Sequence, residues 1–236
     1  MSVKNITIAY CQDNVGTADH IRQILQTASY QVQTLSCNKS TQEASLADQL
    51  LSSYHPILLL ISDNFLKSAQ CMSRGLKLLQ EKSQQLIVVV VPGTTTNPQT
   101  GAKETVYTEF EKVSDIIQYI NYWQDQYLDL RRQKRQLKDD EEGFDEERFN
   151  QHLKAVREIS SQVGEFLRLV RSMGHHYLDQ FQQNSYEELF KLLNDAAGWE
   201  SVKNAGIATP PAVVVEEEAT PPLDMSEIPG MNLLPN

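Results

Sequence analysis

Two short runs, Ile57-Leu58-Leu59-Leu60-Ile61 and Leu86-Ile87-Val88-Val89-Val90-Val91, contain no polar residue. A strand with one face in water alternates apolar and polar residues, because successive side chains point to opposite faces. An unbroken apolar run therefore needs cover on both faces, which is the situation of a parallel strand held between two layers of helices. Ser62-Asp63 follows the first run and Pro92-Gly93 the second, chemistry that caps a helix or ends a strand. Neither run approaches the roughly 20 residues of a membrane span, so no membrane insertion is expected.

The flanking sequence alternates in the same manner. Ile6–Tyr10 is β-rich, and His20–Ala28 places Ile21, Ile24, Leu25 and Ala28 at helical spacing, with Thr17 or Asp19 as the cap. Tyr30–Leu35 alternates as a strand, Ser45–Ser53 puts Leu46, Leu50 and Leu51 on one helical face, and Leu66–Glu81 reads as one helix. The Thr94–Lys103 stretch, rich in Thr, Pro, Gly and Asn, is predicted to be a surface loop replacing or shortening the fourth helix. Val106–Phe110 is predicted as the last strand. Strand-helix alternation implies right-handed crossovers and an α/β fold, a flavodoxin-like parallel sheet flanked by helices with its first and third strands adjacent.

After Phe110 the pattern is helix alone. Val113, Ile116, Ile117, Ile120, Trp123, Tyr127 and Leu130 form one apolar face, and Phe149, Leu153, Val156, Ile159, Val163, Phe166, Leu167 and Val170 form a second. Gly143 is expected to break the two and Gly174 to end the second. A third segment offers Tyr177, Phe181, Tyr186, Leu189, Phe190 and Leu193. Each apolar face needs a partner, which predicts a hairpin or small bundle leaning on the sheet, with intermolecular packing of the helices as the alternative. From Thr209 onward prolines alternate with Glu216-Glu217-Glu218, Asp224 and Glu227, and no Lys or Arg appears, a composition expected to remain disordered. The organisation expected is therefore an α/β domain over 1–125, a helical extension over 126–200 whose first helix is continuous with the last helix of that domain, and a disordered, acidic, Pro-rich tail over 201–236.

The formal net charge of −10 argues against a nucleic-acid partner, which would need clustered cations. The block Arg131–Lys138 is answered at once by Asp139-Asp140-Glu141-Glu142. Cys11, Cys37 and Cys71 are odd in number and far apart, so three buried or half-buried free thiols are expected, with neither a disulfide framework nor a zinc site. Met1-Ser2-Val3-Lys4-Asn5 enters the first strand with no apolar leader, and the expected location is the cytoplasm.

The segment Ile57–Ile61, Ser62, Phe65, Ser68, Cys71, Arg74 resembles the central element of the TIR (Toll/interleukin-1 receptor) domain family, where a strand runs into S-x-x-Y/F-x-x-S-x-W-C-x-x-E. Ile8-Ala9-Tyr10-Cys11-Gln12-Asp13 is similar to that family's first box, with Tyr10 at its tyrosine and Ala9 and Cys11 in place of serines. The resemblance covers Asn5 to about Trp123. It implies a cleft bordered by Tyr10, Asp13, Cys71 and Arg74, and an assembly loop containing Cys37, Asn38, Lys39 and Ser40. In NAD-hydrolysing members the residue three beyond the Cys is a catalytic Glu, holding the ribose hydroxyls and stabilising positive charge as nicotinamide leaves. Here that position is Arg74, of opposite charge, and no Asp or Glu lies between Asp63 and Glu81. The resemblance thus implies a non-catalytic signalling module without a cofactor, acting through other proteins and by TIR–TIR self-association.

Two alternatives accompany it. One is an NAD-consuming hydrolase that uses a different carboxylate. The other is a degenerate receiver domain with Asp63 beyond the third strand and Lys112 after the last, although Tyr10-Cys11-Gln12 stand where its acidic pair should be, and only Asp13 follows. Asp63 is more simply expected as a helix N-cap. His175-His176 is expected to be a solvated helix end rather than a metal site.

Overall fold

A computed structural model describes residues 4–37, 45–136 and 145–206. Strand β1 (Lys4–Cys11) leads through a tight turn at Gln12–Asn14 into helix α1 (Val15–Thr27), so neither Thr17 nor Asp19 caps that helix. Then follow β2 (Tyr30–Cys37), α2 (Leu46–Leu51) and β3 (Ile57–Ile61). Three short helices come next, α3 (Asp63–Leu66), α4 (Ala69–Met72) and α5 (Gly75–Lys82), before β4 (Leu86–Val90). The hairpin β5 (Gly93–Thr96) and β6 (Lys103–Val106) precedes the long helices α6 (Val113–Gln136) and α7 (Glu146–Met173). The two-residue strand β7 (His176–Tyr177) and helices α8 (Leu178–Gln183), α9 (Glu187–Leu192) and α10 (Ala196–Ala205) complete the described chain.

The main sheet has the order β2-β1-β3-β4-β7, and all its pairs are parallel. The first and third strands are neighbours, in register from Thr7↔Ile57 to Ala9↔Leu59. The unbroken apolar run of β3 has its cause in the two cores. Ile57, Leu59 and Ile61 face the core built with α2, α5, α6 and α7, while Leu58 and Leu60 face the one built with α1 and α8–α10. Trp123, Val163, Phe166 and Leu167 are buried together in the first core and Tyr127 packs half-buried against it, so the two amphipathic faces meet within one chain. Residue 125 lies inside the continuous helix α6, and the chain beyond it returns to the sheet as β7.

Several expectations are corrected. Leu66–Glu81 is not one helix: Ser62 Oγ accepts from the Phe65 N–H, Ser68 Oγ accepts from the Cys71 N–H, and Arg74 enters the left-handed region at φ 57°. Each serine satisfies an otherwise orphaned N–H, and each restart ends the helix before it. Ser62 is therefore the cap and Asp63 the first helical residue. Thr94–Lys103 is no plain loop, because β5 and β6 pair antiparallel from Gly93↔Val106 to Thr96↔Lys103. Asn97 closes that hairpin, its Oδ1 accepting from Gln99 at 2.9 Å and Thr100 at 3.2 Å. Val106 ends β6, and the fifth strand of the main sheet is β7, paired through Val89↔His176 and Val90↔Tyr177. Consequently His175 and His176 are not a solvated helix end. His175 Nε2 lies 2.7 Å from Glu111 Oε1 with its side chain only 10% exposed.

Among the described residues no helix is long and apolar enough to cross a membrane, and no group of three His, Cys, Asp or Glu could hold a metal ion. The tail expected over 201–236 is corrected at its start, where α10 runs to Ala205 and buries Val202; Gly143, the end of the charged block at Leu137 and Lys138 with the acids that follow it, and residues 207–236 lie outside the described residues.

Candidate functional site

In an open sheet of this strand order, successive crossovers leave in opposite directions from the point between β1 and β3, and ligands occupy the crevice outside the carboxyl ends of those strands. Such a crevice is present, with a volume of about 470 Å³. Cys11 and Asp13 leave β1, Cys37 ends β2, Asp63 and Lys67 leave β3, and Tyr122 of α6 closes one side.

Its walls are fixed by local bonds. The Asn64 amide clamps the hairpin, donating to the Thr94 carbonyl and accepting from the Thr94 N–H, each at 2.8 Å. Gly93 is required beside it, since a Cβ there would collide with Asn64 Oδ1. Thr108 Oγ1 accepts from the Asp63 N–H at 2.8 Å and donates to the Val91 carbonyl at 2.7 Å, joining the ends of β3 and β4. Asn14 Nδ2 donates to the Pro92 carbonyl at 2.8 Å.

The charges of the crevice are answered internally. The Asp63 carboxylate accepts from Lys67 Nζ at 2.8 Å and from the Tyr119 hydroxyl at 3.0 Å. Burial, then the Asp63 charge, pushes the Tyr119 hydroxyl far above the ordinary tyrosine range, so it stays a donor. The Cys11 thiol is hydrogen-bonded to Asp13 and pushed up to about 12, first by burial and then by the Asp13 charge. A thiol so placed is neutral and a poor nucleophile.

Of the residues named from sequence, Asp13 and Cys37 line the crevice. Tyr10 belongs to the core on the α1 side of the sheet. Cys71 lies beneath the crevice wall, joined to Cys37 by a disulfide with the Cα atoms 5.8 Å apart. Cys11 is thus the one free cysteine, which corrects the expectation of three. Arg74 stands outside the crevice at the joint of α4 and α5, ion-paired with Asp48 of α2. Asn38, Lys39 and Ser40 lie outside the described residues. Asp13 and Asp63 share the crevice, whereas Lys112 lines a separate cavity of about 440 Å³ beyond β4 and β7.

Sequence reasoning missed how α6 fastens the site. Besides Tyr119, the Tyr122 hydroxyl donates to the Lys67 carbonyl at 3.2 Å and Trp123 Nε1 to the Leu66 carbonyl at 2.9 Å. The signal available was the cluster of three hydrogen-bonding aromatics within five residues of a helix, of which only Trp123 was assigned to the apolar face. Comparison with protein-family models, with curated proteins and with solved structures finds no match for this chain.

Proposed function

We propose that this chain is a TIR-like interaction module of the cytoplasm that signals through protein–protein contacts and does not hydrolyse NAD. The observation that carries the reading is the position of Arg74. It replaces the family's catalytic Glu and is committed to Asp48, outside the crevice. The two carboxylates of the crevice are occupied as well, Asp63 by Lys67 and Tyr119 and Asp13 by the Cys11 thiol. A carboxylate already neutralised by a lysine has little left for an oxocarbenium-like charge. Large apolar side chains stand in water around the start of α6, where Tyr107 is 79% exposed, Val113 69% and Ile117 46%, and exposed apolar groups of this kind suit contact with another protein.

The second reading, a hydrolase using another carboxylate, is favoured by one fact: Asp13 and Asp63 face a common crevice of adequate size. Incubation with NAD while monitoring free nicotinamide separates the two. The interaction reading expects no release above buffer background. Turnover by the wild-type chain that is lost in Asp63→Asn or Asp13→Asn would replace it with the hydrolase. Sedimentation over a range of concentrations, comparing wild type with Ile117→Asp, tests self-association; a monomer at every concentration in both would remove TIR–TIR contact through this surface.

A further inference from the structure

We propose that Cys37 and Cys71 form a reversible thiol–disulfide exchange site that opens on the crevice through Cys37 and takes dithiols and small thiols as its reactants. The inference goes beyond the interaction reading and does not depend on it.

All three cysteines of the chain meet at one end of the sheet. Cys11 and Cys37 are the last residues of β1 and β2 and are register partners, and Cys71 sits one disulfide span away in α4. The elements that the bond joins are held independently of it. β2 is paired to β1 along its whole length, from Lys4↔Tyr30 to Cys11↔Cys37. α4 has its own cap in Ser68 and packs against α2 and α7. Reduction would leave two thiols in an apolar core, where cysteine behaves as a small hydrophobe, so both redox states suit the same fold.

The two sulfurs are not equivalent. Both cysteines are buried, Cys37 at 4% and Cys71 at 2% exposed, and of the two only Cys37 is part of the crevice lining. Attack from the crevice therefore falls on Cys37. The thiolate of an entering dithiol bonds to Cys37 Sγ, the Cys37–Cys71 bond breaks, and Cys71 leaves as a thiolate and takes a proton. The second thiol of the reductant then attacks its own sulfur in the mixed disulfide, releasing Cys37. Two electrons and two protons pass to the protein, and the reductant departs as a disulfide. Cys11 does not compete as an internal nucleophile, because its hydrogen bond to Asp13 and its burial keep the proton on sulfur. The oxidised protein is thereby confined to one pairing. In a reducing compartment, a disulfide with these properties is transient and redox-sensing rather than structural.

The full chain is oxidised with diamide, treated with dithiothreitol under native conditions, alkylated and mapped by mass spectrometry. Alkylation of both Cys37 and Cys71 after reduction, an unchanged far-ultraviolet circular dichroism spectrum and re-formation of the same pair by diamide are expected. In a second arm, Cys71→Ser and Cys37→Ser are exposed to oxidised glutathione. Cys37 in the first variant should take up glutathione on the order of tenfold faster than Cys71 in the second, since only Cys37 faces the crevice. Reduction that needs denaturant, loss of helical signal on reduction, pairing through Cys11, or equal rates in the two variants would each overturn the proposal. The wild-type arm decides alone if a variant does not fold.

Discussion

The Tyr119 hydroxyl donates to the Asp63 carboxylate across 3.0 Å, joining the first turn of α3 to the long helix α6, 56 residues further along the chain. Both groups are largely withdrawn from water, and Lys67 is the carboxylate's other side-chain partner. Removing the hydroxyl with Tyr119→Phe keeps the ring in the core and strips one donor from a buried charge. The expected loss is ~1–3 kcal/mol by urea denaturation. A midpoint unchanged within error would mean that water or Lys67 fully replaces the phenol.

Alkaline pH should destabilise the fold. Burial raises Tyr177 to about 12, with Glu111 adding to it, and burial raises Tyr186 to about 12. Tyr119 and Tyr30 are pushed higher still, by burial first and then by Asp63 and Asp195 respectively. Below the unfolded value of 10.0 both states hold these protons, and the stability is present in full. Above it, unfolded chains release protons that the native state keeps, so stability falls as pH rises through the folded values. Denaturation midpoints should be level from pH 7 to 9 and decline steadily from pH 10. The decline should be shallower in Tyr119→Phe, and identical profiles for the two proteins would contradict the assignment of Tyr119.

What the sequence disclosed follows from where its signal was local. Ile57–Ile61 and Leu86–Val90 were readable because an apolar run must be buried on both sides, and the parallel pairing with the first and third strands adjacent follows from the flavodoxin-like order. The fifth strand was not readable: His176-Tyr177 is two residues long, half polar, and held by contacts distant in sequence, its pairing to Val89 and Val90 and the bond from the Tyr177 hydroxyl to Glu111. Arg74 hid the break before α5, because arginine is a good helix former and only its backbone conformation betrays the restart. The triple threonine of β5 and Lys103–Val106 carry β propensity, but Pro98 and Gly101 between them drew the reading toward a loop. In the crevice, Asp13 was named through the resemblance of Ile8–Asp13 to the TIR family's first box, and it does line the crevice. The Cys37–Cys71 pair bridges 34 residues, and sequence spacing alone does not reveal such a pairing.

Lys4 and Asp195 close the far edge of the molecule, Lys4 Nζ lying 2.6 Å from Asp195 Oδ2. Burial alone would raise the Asp195 carboxyl, but hydrogen bonds from Lys4, the Gly198 N–H and Tyr30 hold it below the ordinary range. Asp195 is also the N-cap of α10, accepting from Gly198 at 3.1 Å. Asp195→Ala removes the cap and leaves Lys4 without its carboxylate, at an expected cost of ~1–2 kcal/mol. Because the folded value is depressed, this contribution is present above pH 4 and lost as pH falls through it, so wild type and Asp195→Ala should converge in acid. A constant gap from pH 7 to pH 2 would show that packing, not the carboxylate, carries the effect.

Gly75 sits at the start of α5 beneath the Phe166 ring of α7, and a Cβ at that position would meet Phe166 Cε2 at 3.1 Å. Phe166 is 1% exposed in the core shared with Trp123 and Val163, so the ring has little room to withdraw. Alanine gains helix propensity over glycine by up to ~1 kcal/mol, which opposes the steric cost and leaves the sign of Gly75→Ala to the packing. Valine adds two more methyl groups on the same side, and there the clash should dominate, with a loss of ~1–3 kcal/mol. Phe166→Ala alone should cost ~3–5 kcal/mol through the cavity it opens. The decisive measurement is the cycle: with Phe166→Leu in place, the penalty of Gly75→Val should shrink by ~1 kcal/mol or more, because the shorter side chain vacates the space above residue 75. Additive losses would mean that α5 accommodates the new side chain by shifting as a unit, and that the close approach of Gly75 to Phe166 does not fix the spacing of α5 and α7.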